Sequence, residues 1–232
     1  MWNGKKKAIT FSFDDGVTQD IRVIEILNKY GLKGTFNLNS GYFGLLTPNY
    51  VCFGKTITHN KVKAYEVKDI YRGHEIAVHT LTHPLLPSLD DTTVTRQVEE
   101  DRKALESLCG YPVIGMAYPC GGVNNDDRVA EVIKKTTPIR YSRTITSTYS
   151  YGLQKDNLHR FNPTIHFLDA RVKEIVENFL NLQTDDSQLL YIWGHSYELD
   201  ATDNGWENFE SLCKMLAGRD DIFYGTNKEV LL

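Results

Sequence analysis

The sequence contains no apolar run near the ~20 residues a membrane span needs. Nothing after Met1 resembles an export leader, because Ala8–Phe13 is too short and runs straight into charge. With Met1 as the native start, a cytoplasmic protein is expected. Basic residues cluster only at Lys5-Lys6-Lys7, and the formal net charge is -4, so a nucleic-acid footprint is excluded as an expectation. Cysteine is scarce. Cys52, Cys109, Cys120 and Cys213 have no short paired spacing, which excludes a disulfide framework and a Cys-x-x-Cys zinc site and leaves free thiols of a reducing compartment. Repeats and low-complexity segments are also lacking.

What is present is an ordinary globular balance. The 232 residues, 41% hydrophobic and 24% charged, suffice for one large α/β domain, so residues 1–232 are read as a single unit. Apolar runs alternate with helical patterns. Strands are expected at Ala8–Phe13, Gly34–Leu38, Glu75–Val78, Val113–Tyr118, Ile139–Ser142, Leu189–Trp193 and Ile222–Tyr224. Helices are expected around Val23–Leu27, from Thr58 to about Tyr71, from Thr92 or Thr93 to Cys109, and over Asp126–Lys135, Asp169–Leu182 and Trp206–Leu216. Thr144–Pro163 reads as a long loop or a β-excursion. Such alternation predicts a parallel sheet with crossover helices, and about seven units favour a distorted (β/α) barrel.

The stretch "FSFDDG" ends an alternating strand in two adjacent carboxylates, Asp14 and Asp15. Like charges beside a buried strand are costly unless a cation offsets them. The ends of other apolar runs supply companions. "EIAV" is followed by "HTLTH", with His79 and His83; "GMAY" by "PCGG"; and "LYIWG" by His195. In a β/α barrel the carboxyl ends of all strands share one face, where chemistry sits. Pro84 argues that the two histidines lie on a strand-end turn rather than a helix. Two imidazoles with one carboxylate form a sound three-ligand set for zinc with open positions.

These motifs make the chain resemble the polysaccharide deacetylases, carbohydrate esterase family 4, the NodB-homology domain. "FSFDDG", "HTLTH" and "LYIWGH" match the family's first, second and fifth motifs. The resemblance implies a distorted (β/α) barrel, one divalent metal and removal of N- or O-acetyl groups from a sugar or oligosaccharide. It implies Asp15, His79 and His83 as metal ligands, Asp14 as general base, His195 as general acid, and the backbone N–H of Cys120 as oxyanion donor. No membrane or nucleic-acid partner is implied.

Two motifs depart from the family. The third normally begins with an Arg that tethers the base, and here that position is Ala117. The fourth, which supplies a carboxylate to orient the catalytic His, has no clear counterpart. Arg143 is the first candidate to hold Asp14, with Arg160 second. Glu198 is a candidate to orient His195 or pair with Arg143. His166 is a candidate substrate contact, while His59, His74 and His159 are read as structural. Among the aromatics, Tyr42, Tyr118, Tyr149, Tyr151, Trp193, Tyr197 and Trp206 could supply faces for a sugar ring, or core packing. Two other functions compete. A Mg²⁺-dependent phosphatase would use the Asp-Asp-Gly turn but leave the histidines idle. An inactive sugar-binding barrel would bind glycans without turnover.

Overall fold

A computed structural model of the chain describes residues 2–232. Seven parallel strands lie side by side in the order β7-β6-β5-β2-β1-β9-β8, and an eighth, β10, pairs with the start of β1. They are β1 (Lys7–Asp14), β2 (Gly34–Leu38), β5 (Glu75–Val78), β6 (Gly115–Ala117), β7 (Tyr141–Arg143), β8 (Ile165–His166), β9 (Gln188–Gly194) and β10 (Ile222–Tyr224). The sheet curls into a distorted barrel. Between its edges, Phe161 bridges to β7, donating to the Ser142 carbonyl, while Thr164 donates to the Tyr191 carbonyl of β9.

Alternation along each strand explains the two faces. Phe11, Phe13, Phe36, Ile76, Val78, Leu190 and Ile192 point outward into the main apolar core. There they meet the helices α1 (Asp20–Lys29), α3 (Asp91–Cys109), α4 (Asp127–Thr136), α5 (Val172–Asn181) and α7 (Gly205–Leu216). Asp90 and Asp126 cap α3 and α4, accepting from Thr93 and Val129 backbone N–H groups. The other face is polar. Thr10, Ser12, Asn37 and Glu75 form a buried hydrogen-bonded ladder with Tyr141. Helix α8 (Asn227–Leu231) closes the amino end of the barrel, since Asn227 bonds to Ser12 and Thr35, and the Lys228 N–H to Glu75. Most of the buried polar atoms of this ladder find partners inside the barrel, while Asn37 Oδ1 has none.

Two expectations need correction. Thr58–Tyr71 is not one helix. Only Val67–Ile70 (α2) is α-helical, after a 3₁₀ turn at Ala64–Glu66. Ahead of it, Tyr50–Cys52 (β3) and Lys55–Ile57 (β4) pair as an antiparallel hairpin, turned through Phe53 and Gly54, both at positive φ. Val62 is held in extended register by the Gly16 carbonyl, so tertiary hydrogen bonds override the helical spacing. The fifth strand is Tyr141–Arg143, which places Arg143 on the strand rather than after it. Strand β8 is two residues long and carries no alternation signal. A four-residue helix, α6 (Glu198–Ala201), follows β9. All four cysteines are free thiols. Among the described residues, no helix is long and apolar enough to cross a membrane.

Candidate active site

The carboxyl ends of β1, β5, β6 and β9 surround a cavity of about 450 Å³ lined by Asp14, Asp15, His79, His83, Cys120 and His195. Residues as far apart in sequence as 14 and 195 therefore share one mouth, as the barrel argument requires. The backbone there is strained. Asp15, Thr80, His83 and Cys120 have φ of 85°, 67°, 54° and 69°, in the left-handed region that disfavours side chains and most of all the β-branched Thr80. These turns aim the side chains inward from three separate strand ends.

Asp15 Oδ1 lies 3.7 Å from His79 Nε2 and 3.5 Å from His83 Nε2. The three ligand atoms all fall within 4.8 Å of one another. Bonds of about 2.0–2.1 Å in a tetrahedral zinc site put ligand atoms roughly 3.3–3.4 Å apart, so the cluster fits a divalent cation closely. His79 Nδ1 donates to the Ala117 carbonyl at 2.9 Å, which leaves the Nε2 lone pair free for a metal. Burial first, modulated by neighbouring charges, pushes His79 down to about 4, and burial also lowers His83. Both imidazoles are therefore neutral at neutral pH, the form that ligates.

Asp14 is nearly inaccessible, and its carboxylate faces four side chains. Arg143 Nη2 donates to both of its oxygens, and Asn37 Nδ2 donates to Oδ1 at 2.9 Å. His79 and His195 Nε2 lie 3.9 and 4.0 Å from Oδ2. Burial raises the Asp14 carboxyl, but the Arg143 charge, then His79 and His195, outweigh it and hold it below the ordinary range. Arg143 is fully buried across the barrel from β1; its guanidinium also donates to the Thr144 carbonyl and lies 4.5 Å over the Trp193 ring. Ala117, the position where an Arg was expected, is the register partner of Arg143 on the adjacent strand. A cation on β7, in register beside Ala117, thus holds Asp14.

His195 follows β9, and its Nδ1 is 3.3 Å from Glu198 Oε1, one helical turn on. Burial lowers His195, but the Glu198 carboxylate, then Asp15 and Asp14, outweigh it and raise the imidazole to about 9. Glu198 itself falls well below the carboxylate range: burial opposes this, while the His166 and His195 contacts win. The structure brings Glu198 to His195 and not to Arg143. The Cys120 N–H points at His83 Nε2, 3.5 Å away. Its thiol is raised by burial and by Asp15, which suits a neutral side chain.

Arg160 sits away from the cavity, paired with Asn125 and Asp127. His166 does not line the cavity but contacts Glu198 from behind. His59, read as structural, is instead part of the site. It stacks on Tyr50 and meets Tyr197 edge-on, with Nε2 3.5 Å from Asp15 Oδ2. Lys61 was not singled out, yet its Nζ donates to the Asp15 carbonyl at 2.8 Å and lines the cavity. Neither carried a sequence signal, because only the extended segment after the β3–β4 hairpin draws them over the mouth. Of the aromatics, Tyr42, Tyr118, Trp193 and Tyr197 line the cavity with Tyr50; Tyr149, Tyr151 and Trp206 do not.

A barrel of this topology with an Asp-His-His cluster and a facing Asp–His pair at its strand ends defines a class of protein, and similarity locates the chain within it. The polysaccharide deacetylase family model matches residues 2–138, more than half of the sequence, and the chain belongs to that family. It is 26% identical to peptidoglycan-N-acetylglucosamine deacetylase PgdA of Listeria monocytogenes over 129 residues, 55% of this chain and 24% of that protein. The match thus spans about a quarter of that curated relative. Among solved structures, peptidoglycan deacetylase PdaC of Bacillus subtilis shares 17% identity at a TM-score of 0.56, covering 97% of this chain and 90% of the other. A mutant of a CE4-family pseudoenzyme with restored activity shares 16% identity at a TM-score of 0.59, covering 98% and 68%. At these identities the structural likeness speaks for the fold.

Proposed function

We propose that residues 1–232 form one catalytic domain of a metal-dependent carbohydrate deacetylase, which hydrolyses an acetamide or acetate ester on a sugar. One observation carries this reading: Asp15, His79 and His83 converge as a three-ligand set while Asp14 and His195 face the same space within 4.0 Å of each other. A divalent cation held by that set, zinc by the chemistry of its donors, would polarise the acyl carbonyl and acidify water.

Asp14 takes the proton of the attacking water, ionised at neutral pH because Arg143 outweighs its burial. The water oxygen bonds to the acyl carbon, and charge builds on the carbonyl oxygen, which the Cys120 N–H faces. The carbon–nitrogen or carbon–oxygen bond then breaks as His195 gives its proton to the leaving atom. The raised imidazole carries that proton at neutral pH, and Glu198 fixes its direction. The aromatic wall of Tyr42, Tyr50, Tyr118, Trp193 and Tyr197 suits the faces of a pyranose ring.

The test is acetate release from acetylated chito-oligosaccharides and acetylated xylan, with the protein as purified, after chelation, and after zinc is restored. Release abolished by chelator and recovered with zinc supports the proposal. Glycan binding without release in any condition would favour the inactive sugar-binding barrel instead.

A further inference from the structure

We infer that His166 is a positioning residue for the reaction: through Glu198 it fixes the proton-donating His195. The inference rests on the deacetylase reading above. His166 ends β8, a strand whose register with β9 sets it opposite Trp193. Its Nε2 lies 3.1 Å from Glu198 Oε2. Its Nδ1 accepts the Leu168 backbone N–H at 3.2 Å. An imidazole nitrogen that accepts an N–H carries no proton, so Nε2 carries it and presents it to the Glu198 carboxylate.

Glu198 is thereby held at both oxygens. Oε2 accepts the His195 backbone N–H at 3.0 Å and lies against His166 Nε2, which leaves Oε1 facing His195 Nδ1. The carboxylate sits on a helix of four residues and is 8% exposed; alone, that short turn would let it rotate toward solvent. His166 closes this route, and its ring is itself fixed edge-on to Trp193 and stacked on Phe167. Gly194 makes the arrangement possible. A Cβ there would lie 2.0 Å from the Phe167 ring and 3.0 Å from His166 Nε2. The same three side chains lie close enough for a metal cluster, but the Leu168 bond occupies Nδ1 and the proton on Nε2 faces the carboxylate, so they form a relay of close polar contacts.

Two measurements test this. The first compares His166→Ala and His166→Gln on an acetylated chito-oligosaccharide and on 4-nitrophenyl acetate. The nitrophenolate departs without protonation, whereas a sugar amine or alkoxide needs the His195 proton. For His166→Ala, kcat on the sugar substrate should fall about 10- to 100-fold, the range for losing a supporting partner. That loss should exceed the loss on the activated ester by about tenfold, with the zinc content unchanged. The glutamine amide can still donate to Glu198, so His166→Gln should recover most of the difference. Equal losses on both substrates, or none, would overturn the inference. The second is the imidazole ¹⁵N–¹H spectrum of the wild-type protein, which needs no activity. Should wild type release no acetate, the deacetylase reading falls, and the tautomer then decides the relay. A proton on His166 Nε2 supports it, and a proton on Nδ1 refutes it.

Discussion

Replacing Arg143 by methionine removes the cation while keeping a stem to pack against Trp193. In the wild type the guanidinium is fully buried and donates to both oxygens of Asp14. Removing one member of a buried pair costs about 3–5 kcal/mol, since the remaining charge is left uncompensated in a low-dielectric interior. The Thr144 carbonyl also loses its Arg143 donor, a further ~1 kcal/mol. Asp14→Asn removes that stranded charge. The asparagine should therefore restore part of the lost stability in the Arg143→Met background, while costing stability in the wild type. Urea unfolding of the four metal-free proteins closes the cycle. The pH dependence has a definite sign. In the wild type the lowered Asp14 pKa contributes stability above the unfolded carboxyl value, lost as pH falls through the folded value. Without Arg143, burial dominates and raises the carboxyl, so its contribution is lost as pH rises. The gap between wild type and Arg143→Met should thus be widest near neutrality and shrink in acid. A coupling below ~0.5 kcal/mol, the additivity expected of independent sites, would refute the pairing.

The paired aspartates should separate by role. Asp15→Asn and His79→Ala should lose zinc by elemental analysis, whereas Asp14→Asn should keep it and lose turnover by roughly 10²–10⁴; equal zinc loss in both Asp variants would make Asp14 a ligand. Metal affinity should also resist acid. With His79 pushed down to about 4 and His83 lowered too, protons compete weakly, and zinc affinity of the metal-free protein should change less than about tenfold between pH 7.5 and 5.5. Two imidazoles at the ordinary value of about 6.5 would weaken it by roughly 100-fold, and competition titration at the two pH values distinguishes the cases.

Much of the fold was legible locally. Gly34–Leu38, Glu75–Val78 and Ile222–Tyr224 stand where alternation and flanking glycines put them, because a buried strand and its turn are short-range matters. The Asp-Asp-Gly and His-x-x-x-His motifs were legible for the same reason: chemistry that needs fixed spacing leaves fixed spacing in the chain. Their joint meaning came from the barrel, whose strand ends share a face whatever the intervening sequence.

Tertiary structure decided what depends on register and on contacts between distant segments. Arg143 stands beside Ala117 only because β6 and β7 pair in that register, and no sequence distance encodes which strand will carry the cation. The segment that opens with His59 and Lys61 has helical spacing, yet its start lies extended over the mouth because Val62 and Lys61 bond to the backbone of the Asp15–Val17 turn. His166 reaches Glu198 through a two-residue strand and a gap that only Gly194 leaves open. Hydrophobic periodicity reports which face of an element is buried. It is silent on which buried polar group meets which, since those contacts are fixed by the closed geometry of the barrel and not by the chain that runs through it.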